Sequence, residues 1–162
     1  MTKETETLLA SLNSQREHVL GILDGLPAEA LRRPVLPSGW TCLGLVRHLA
    51  LDVERFWFRA VVAGEPWPDD EPDNAWQVPA GLTASAVLDL YRREVERADA
   101  IIAATSLDSP PAWWPADLFG SWRLDDVREI VLHVIAETAC HAGHLDAARE
   151  LIDGQQWIVL TK

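Results

Sequence analysis

The chain is poor in basic residues, in cysteine and in long apolar runs. Its 162 residues include 14 Lys and Arg against 25 Asp and Glu, which gives a net charge of −11. Binding to nucleic acid or to an anionic membrane surface depends mainly on Lys and Arg, so we expect neither partner. No apolar run approaches the roughly 20 residues that span a bilayer. The first residues also lack the basic and apolar regions of an export signal.

Cysteine is scarce as well. The two cysteines, Cys42 and Cys140, cannot form a disulfide framework, and we expect a cytoplasmic location. Cys42 falls in the first turn of a predicted helix, where a nucleophilic role is conceivable, but a small buried residue is the preferred interpretation. Cys140 points about 100° away from its neighbour His141 on a helical wheel, so it is a poor metal ligand. We predict that both side chains pack in the core.

The aromatic residues are one Tyr, three Phe and eight Trp. The tryptophans in the long links between predicted helices include Trp67, Trp76, Trp113 and Trp114. Either they form the wall of a substrate pocket or they cover apolar surface that the helices leave exposed.

Four amphipathic stretches predict an all-α fold, and no segment alternates with the period of a strand. They cover about residues 5–25, 41–64, 83–102 and 125–154. Ser38 or Thr41 would cap the second stretch, Thr83 or Ser85 would cap the third, and Gly154 would end the fourth in a left-handed conformation. We predict one four-helix domain over residues 1–162, because either half alone offers little core. The acidic run "DDEPD", residues 69–73, is expected to be a solvated loop.

Three histidines and a glutamate share one face of the last helix. His133, Glu137, His141 and His144 follow each other at spacings of four, four and three, which places them in a single stripe. Apolar neighbours share this sector, so the stripe should face the interior, where ionisable groups are costly unless they are paired or bind a metal. These residues could also simply satisfy one another, or lie at a wet edge. Four potential ligands in one stripe favour a metal or catalytic site.

Two familiar metal motifs are absent. The HExxH spacing does not occur, and the Glu-x-x-His pairs that a di-iron bundle carries on two helices are absent as well. A mononuclear site is left, and His48, on the apolar side of the second helix, is a suitable third ligand. Two histidines and one carboxylate suit Zn²⁺, Ni²⁺ or Fe²⁺ and leave positions for a water or thiol whose pKa the metal lowers.

Two motif blocks, "SGWTCLGLVRHLALDVERFWF" and "LHVIAETACHAGHLDAARELIDG", resemble the DinB-like metal-binding four-helix proteins. The nearer resemblance is to the branch that includes mycothiol-dependent S-transferases and is related to maleylpyruvate isomerase. It covers essentially the whole chain. It implies an up-down-down-up bundle with a long crossover between helices two and three, and a metal held by His48, Glu137 and His141. Many relatives have Gln where this chain has His144, so His144 would either replace Glu137 as a ligand or orient bound water. His133 would support the site from one turn before Glu137.

The resemblance also implies a reaction. We expect a metal ion, zinc first and nickel or iron as alternatives, to activate a low-molecular-weight thiol such as mycothiol for transfer to a small electrophile. His144 or His133 would relay the proton. Two alternatives are a non-catalytic metal-binding or ligand-sensing bundle, and a metal-dependent hydrolase that uses bound water. Dimers are common among such bundles, so a homodimer is one expected assembly.

Overall fold

A computed structural model describes residues 1–67 and 74–157, and within these ranges every regular element is helical. The all-α prediction is confirmed to that extent. The acidic run at residues 69–73 and the end of the tail, residues 158–162, lie outside the described residues. No helix of the described ranges has the length and apolar character needed to cross a bilayer.

Four long helical stretches account for most of the described chain. The elements are α1 (Lys3–Ile22), α2 (Ala28–Leu31), α3 (Cys42–His48) with a π-helical continuation (Leu49–Val62), α4 (Ala84–Ala104), α5 (Ala116–Phe119) and α6 (Val127–Asp153). The four long stretches correspond to the four that the apolar pattern predicts. The short helices α2 and α5 lie in the links and were not predicted.

Thr41 and Thr83 are used as the predicted caps, and Asp126, which was not predicted as a cap, begins α6 in the same way. The side-chain oxygens of Thr41, Thr83 and Asp126 each accept a hydrogen bond from the backbone N–H three residues further on. Such a bond satisfies one of the amide groups that the first helical turn leaves without a partner. At the other end of α6, Gly154 adopts the predicted left-handed conformation with φ of 78°. Of the alternatives at each cap, Thr41 and Thr83 are therefore the residues used.

The continuation of α3 differs from the predicted α-helix. Residues Leu49–Val62, here called the π-segment, form a π-helix of 14 residues. π-Helices are usually single turns and are frequent at functional sites. The sequence pattern did not reveal this wider turn because the residues that are not buried, Asp52, Arg55 and Arg59, follow each other at spacings of three and four, as they would on an ordinary α-helix. The π-segment begins directly after His48.

The core joins these helices into one continuous cluster, in which Leu12, Phe58, Tyr91, Ile130 and Leu145 are fully buried. α1 packs mainly against α6, and α4 packs mainly against the π-segment. Burial of large apolar side chains supplies most of the stabilisation, at about 25 cal/mol for each Å² removed from water.

A buried ion pair crosses this core. The guanidinium of Arg16 donates two hydrogen bonds to Glu54, at 2.7 and 2.6 Å, and a third to Asp99 at 2.6 Å. Burial raises the pKa of the Glu54 carboxyl, and Arg16 opposes that rise. Removing one partner of such a pair costs about 3–5 kcal/mol, because the other charge is left buried and unpaired. The pair therefore fixes how α1, the π-segment and α4 lie against one another.

Candidate metal centre

The three predicted ligands come together in space. His48 is the last residue of α3, and Glu137 and His141 lie one turn apart on α6. One potential ligand atom from each residue lies within 4.8 Å of the other two, so the set could hold a metal ion. The Oε1 atom of Glu137 is 3.2 Å from Nε2 of His141 and 3.9 Å from Nε2 of His48. Two separate segments thus present two imidazoles and a carboxylate to one point.

The partners of the two ring nitrogens of His48 show whether a cation fits this point. Nδ1 of His48 is 2.8 Å from a carboxylate oxygen of Asp52, one turn later in the π-segment. Nε2 of the same ring is buried and has no hydrogen-bond partner among the described residues. A buried polar atom without a partner is costly. When Nδ1–H donates to Asp52, Nε2 carries a lone pair directed toward Glu137 and His141, and this is how metal-binding histidines are commonly held.

The charges of the site agree with this arrangement. The hydrogen bond with His141 and the nearby His48 ring hold the pKa of Glu137 far below its usual range, against the effect of burial. Burial disfavours the charged form of His48, but the hydrogen bond with Asp52 and the charge of Glu137 outweigh it and raise the pKa of His48. An ionised carboxylate therefore stands between the rings of His141 and His48, and a cation can take the place of a ring proton.

Asp52 was missed by the sequence reasoning, although a signal for it was present. It follows His48 by four residues, the spacing that places two side chains on one helical face. An acidic residue one turn from a predicted histidine ligand is a natural hydrogen-bond acceptor for the other ring nitrogen. Its position could therefore have been proposed from the stretch "RHLALD".

A tryptophan covers the other side of His48. The ring of Trp76 stacks on the His48 ring with centroids 4.3 Å apart and planes at 19°, and its centroid is 5.6 Å from that of His141. Arg47 holds this part of the chain in place, because its Nη1 atom donates to three backbone carbonyls of residues 74–77, at 2.9–3.2 Å. A Cβ at Gly44 would collide with the carbonyl oxygen of Trp76, so the close approach requires glycine. Residues 74–77 therefore form a fixed wall beside His48.

A cavity of about 390 Å³ opens next to these residues. His48, Asp52, Glu137 and His133 line its polar end. Apolar side chains form the rest of its wall, and they are Val53, Phe56, Trp57, Trp67, Leu118 and Phe119. Of the four tryptophans that the sequence placed in the links, Trp67 lines this cavity and Trp76 contacts His48, while Trp113 and Trp114 pack behind Phe56 and Trp57.

The two other histidines of α6 lie on different sides of the centre. His133 lines the cavity and packs edge-on against Trp57 at a centroid distance of 4.8 Å. Burial lowers the pKa of His133 below its ordinary value, with partial opposition from Glu137. His144 is exposed, and its Nδ1 lies 3.4 Å from Nδ1 of His141. His144 is thus next to the ring nitrogen of His141 that faces away from Glu137.

A family model described as mycothiol S-transferase matches residues 7–154. The chain belongs to the mycothiol S-transferase family. The resemblance drawn from the two motif blocks is thereby confirmed. Comparisons with curated proteins and with solved structures give no significant match.

The cysteines of this family member differ from each other in environment. Cys42 is buried as predicted, and burial raises the pKa of its thiol to about 11, so it is a poor nucleophile at neutral pH. The prediction for Cys140 was wrong, because its side chain is exposed. It lies on the outer face of α6 in line with Ala136, Gly143 and Ala147, which are exposed too. Small residues on this face gave no polar signal that it points to solvent.

His18, the remaining histidine of the chain, lies elsewhere. Its Nε2 is 2.7 Å from Asp146, and its ring stacks on Trp157 with centroids 5.1 Å apart. It is absent from the group of residues that could hold a metal among the described part of the chain.

Proposed function

We propose that this protein is a metal-dependent enzyme that activates a low-molecular-weight thiol, such as mycothiol, for S-transfer to a small electrophile. The observation that carries the proposal is the buried, unpaired Nε2 of His48, which faces Glu137 and His141 at the polar end of an apolar cavity. Membership of the mycothiol S-transferase family supports the choice of thiol.

His48, Glu137 and His141 would hold the ion. Zinc is the proposed metal, with nickel and iron as alternatives, because all three accept imidazole and carboxylate ligands. A bound divalent ion would supply the Lewis acidity that lowers the pKa of a thiol and so provides a thiolate at neutral pH. Three protein ligands leave room for a substrate, as in catalytic sites.

The chain's own residues have distinct roles in this proposal. Asp52 accepts the Nδ1–H of His48 and fixes the direction of Nε2. His133 stays neutral because burial lowers its pKa, so it can accept the thiol proton inside the cavity. His144 orients the His141 ring through Nδ1 rather than acting as a ligand. The apolar wall keeps water away from the thiolate.

The proposed architecture is an up-down-down-up bundle. Contacts between like ends support parallel α1 and α6: Glu4 pairs with Arg128, and His18 pairs with Asp146. The π-segment and α6 are antiparallel in this arrangement, because partners occur in reverse order along the two helices: His48 contacts His141, and the later Trp57 contacts the earlier His133. A cytoplasmic location and a homodimer are further predictions from the family resemblance.

The test measures thiol dependence. Metal-loaded protein is mixed with a chromogenic electrophile, with and without mycothiol, beside the variants His48→Ala and His18→Ala. We expect turnover that requires mycothiol, that is lost in H48A and that persists in H18A. An equal rate with and without mycothiol would reject the transferase. Conversion of the electrophile at the same rate in both mixtures would indicate a hydrolase. Metal binding without conversion in either mixture would indicate a binding protein.

A further inference from the structure

The cavity beside the metal centre has two chemically different ends. Its polar end carries the carboxylates of Asp52 and Glu137, and the remaining wall is apolar and mostly aromatic. Phe56 meets Trp67 edge to face with centroids 5.1 Å apart, and Trp57 stacks on Phe119 at 5.6 Å with planes at 10°. Flat aromatic surfaces of this kind contact flat apolar ligands over large areas.

The described residues that line the cavity include neither Lys nor Arg. Arg123 is a cation near the aromatic cluster, but it lies over Trp114 at 5.6 Å, is hydrogen-bonded to Asp125 at 3.1 Å and does not line the cavity. The lining residue His48 already faces the carboxylates of Asp52, at 2.8 Å, and Glu137, at 3.9 Å. An acidic ligand would therefore find no free cationic partner in the cavity, and burying an anion without such a partner is strongly disfavoured.

A bound metal ion does not reverse this preference. Two carboxylates would balance the charge of one divalent ion, and under the proposed function the thiolate takes its open position, so a second anion would find no net positive charge there. The volume of about 390 Å³ lies at the small end of the range of about 300–1,000 Å³ for ligand pockets, which fits a compound of one to a few rings.

We propose that the electrophile accepted by this cavity is an uncharged aromatic compound, and that acidic electrophiles are excluded. The inference rests on the proposed function in that it treats the ligand as an electrophile. The preference for uncharged aromatic ligands over acidic ones is a property of the cavity alone. Trp67 and Phe119 supply the stacking surfaces, and Asp52 and Glu137 supply the discrimination against anions.

Two fluorescent probes that differ by one sulfonate test the preference: uncharged N-phenyl-1-naphthylamine and anionic 1-anilinonaphthalene-8-sulfonate. Both are titrated into the full-length protein as purified, with its metal content recorded and without thiol. We expect the uncharged probe to bind at least about tenfold more tightly. Equal or tighter binding of the sulfonate would overturn the proposal.

Two pairs of variants locate the binding site. Trp67→Ala should weaken binding of the uncharged probe at least about fivefold, whereas Trp157→Ala, outside the cavity, should leave it within about twofold. Leu118 lines the cavity and is 67% exposed, so an arginine there is compatible with folding. Leu118→Arg should strengthen sulfonate binding at least about fivefold, and the uncharged control Leu118→Gln should not.

An unchanged sulfonate affinity in L118R, or equal losses in W67A and W157A, would show that the probes bind elsewhere and would overturn the proposal. No thiol and no turnover enter these measurements. Failure of the binding preference with intact thiol-dependent turnover would therefore contradict only this inference, and the reverse result would contradict only the proposed function.

Discussion

His18 and His48 have nearly the same local surroundings, but they differ in whether they could bind a metal ion. His18 lies 2.7 Å from Asp146 and stacks on Trp157, and His48 lies 2.8 Å from Asp52 and stacks on Trp76. The difference is in the other ring nitrogen. At His48 this atom is buried, unpaired and directed toward Glu137 and His141. At His18 the described residues supply no such pair of ligands.

The comparison shows which features distinguish the candidate metal site from an ordinary ion pair. At His18, a histidine, a carboxylate and a stacked tryptophan form only an ordinary contact between two helices. An exposed ion pair of this kind contributes about 1 kcal/mol or less to stability. A metal site needs, in addition, ligands from a second segment that converge on the free nitrogen, and an environment that keeps that nitrogen from water. Each residue of the His48 group has a counterpart in the His18 group, so matched substitutions can separate the two.

The largest contrast is expected between the histidines themselves. His48→Ala removes the only proposed ligand outside α6 and should lower metal affinity by more than about 100-fold, so that stoichiometric metal is lost on desalting. His18→Ala should retain the wild-type metal content. Elemental analysis of both proteins measures this. Full metal occupancy in H48A would remove His48 from the site.

A smaller difference in metal affinity is expected between substitutions of Asp52, beside His48, and Asp146, beside His18. Asp52→Asn keeps the shape of the side chain but weakens the hydrogen bond that fixes the His48 ring, so metal affinity should fall by about 10- to 100-fold. Asp146→Asn is the matched control and should leave it unchanged. Competition with a chromophoric chelator measures both constants. Equal affinities in the two variants would mean that Asp52 does not position His48.

The smallest contrast is expected between the two tryptophans. A stacked aromatic pair contributes about 0.5–1.5 kcal/mol, so Trp76→Ala should weaken metal binding by about two- to tenfold through a less ordered His48 ring. Trp157→Ala should have no effect on this constant. The same chelator competition applies, and a loss in W157A as large as that in W76A would indicate a general effect of tryptophan removal on folding.

Much of this site could be predicted from sequence because its signals are local. His133, Glu137, His141 and His144 follow each other at helical spacing, and His48 occupies a position flanked by apolar residues of a second helix. The caps at Thr41 and Thr83 are local signals too. In each case successive residues that define the feature lie within about one turn of one another on a single helix.

The features that sequence did not reveal depend on contacts without a local pattern. The hydrogen bonds of Arg47 to the carbonyls of residues 74–77 span 27 to 30 positions, and a backbone carbonyl leaves no trace in the sequence. The π-segment was missed because its polar residues Asp52, Arg55 and Arg59 keep the spacings of three and four that an α-helix also gives. The outward direction of Cys140 was missed because its face of α6 is made of small residues rather than charged ones.

X-ray absorption spectroscopy of the zinc-loaded protein would test most directly whether three residues from two segments share one cation. The account predicts only nitrogen and oxygen neighbours, with Zn–N distances of about 2.0–2.1 Å and the outer-shell scattering of two imidazole rings. Sulfur scattering at about 2.3 Å in the thiol-free protein, or the signature of a single imidazole, would contradict it.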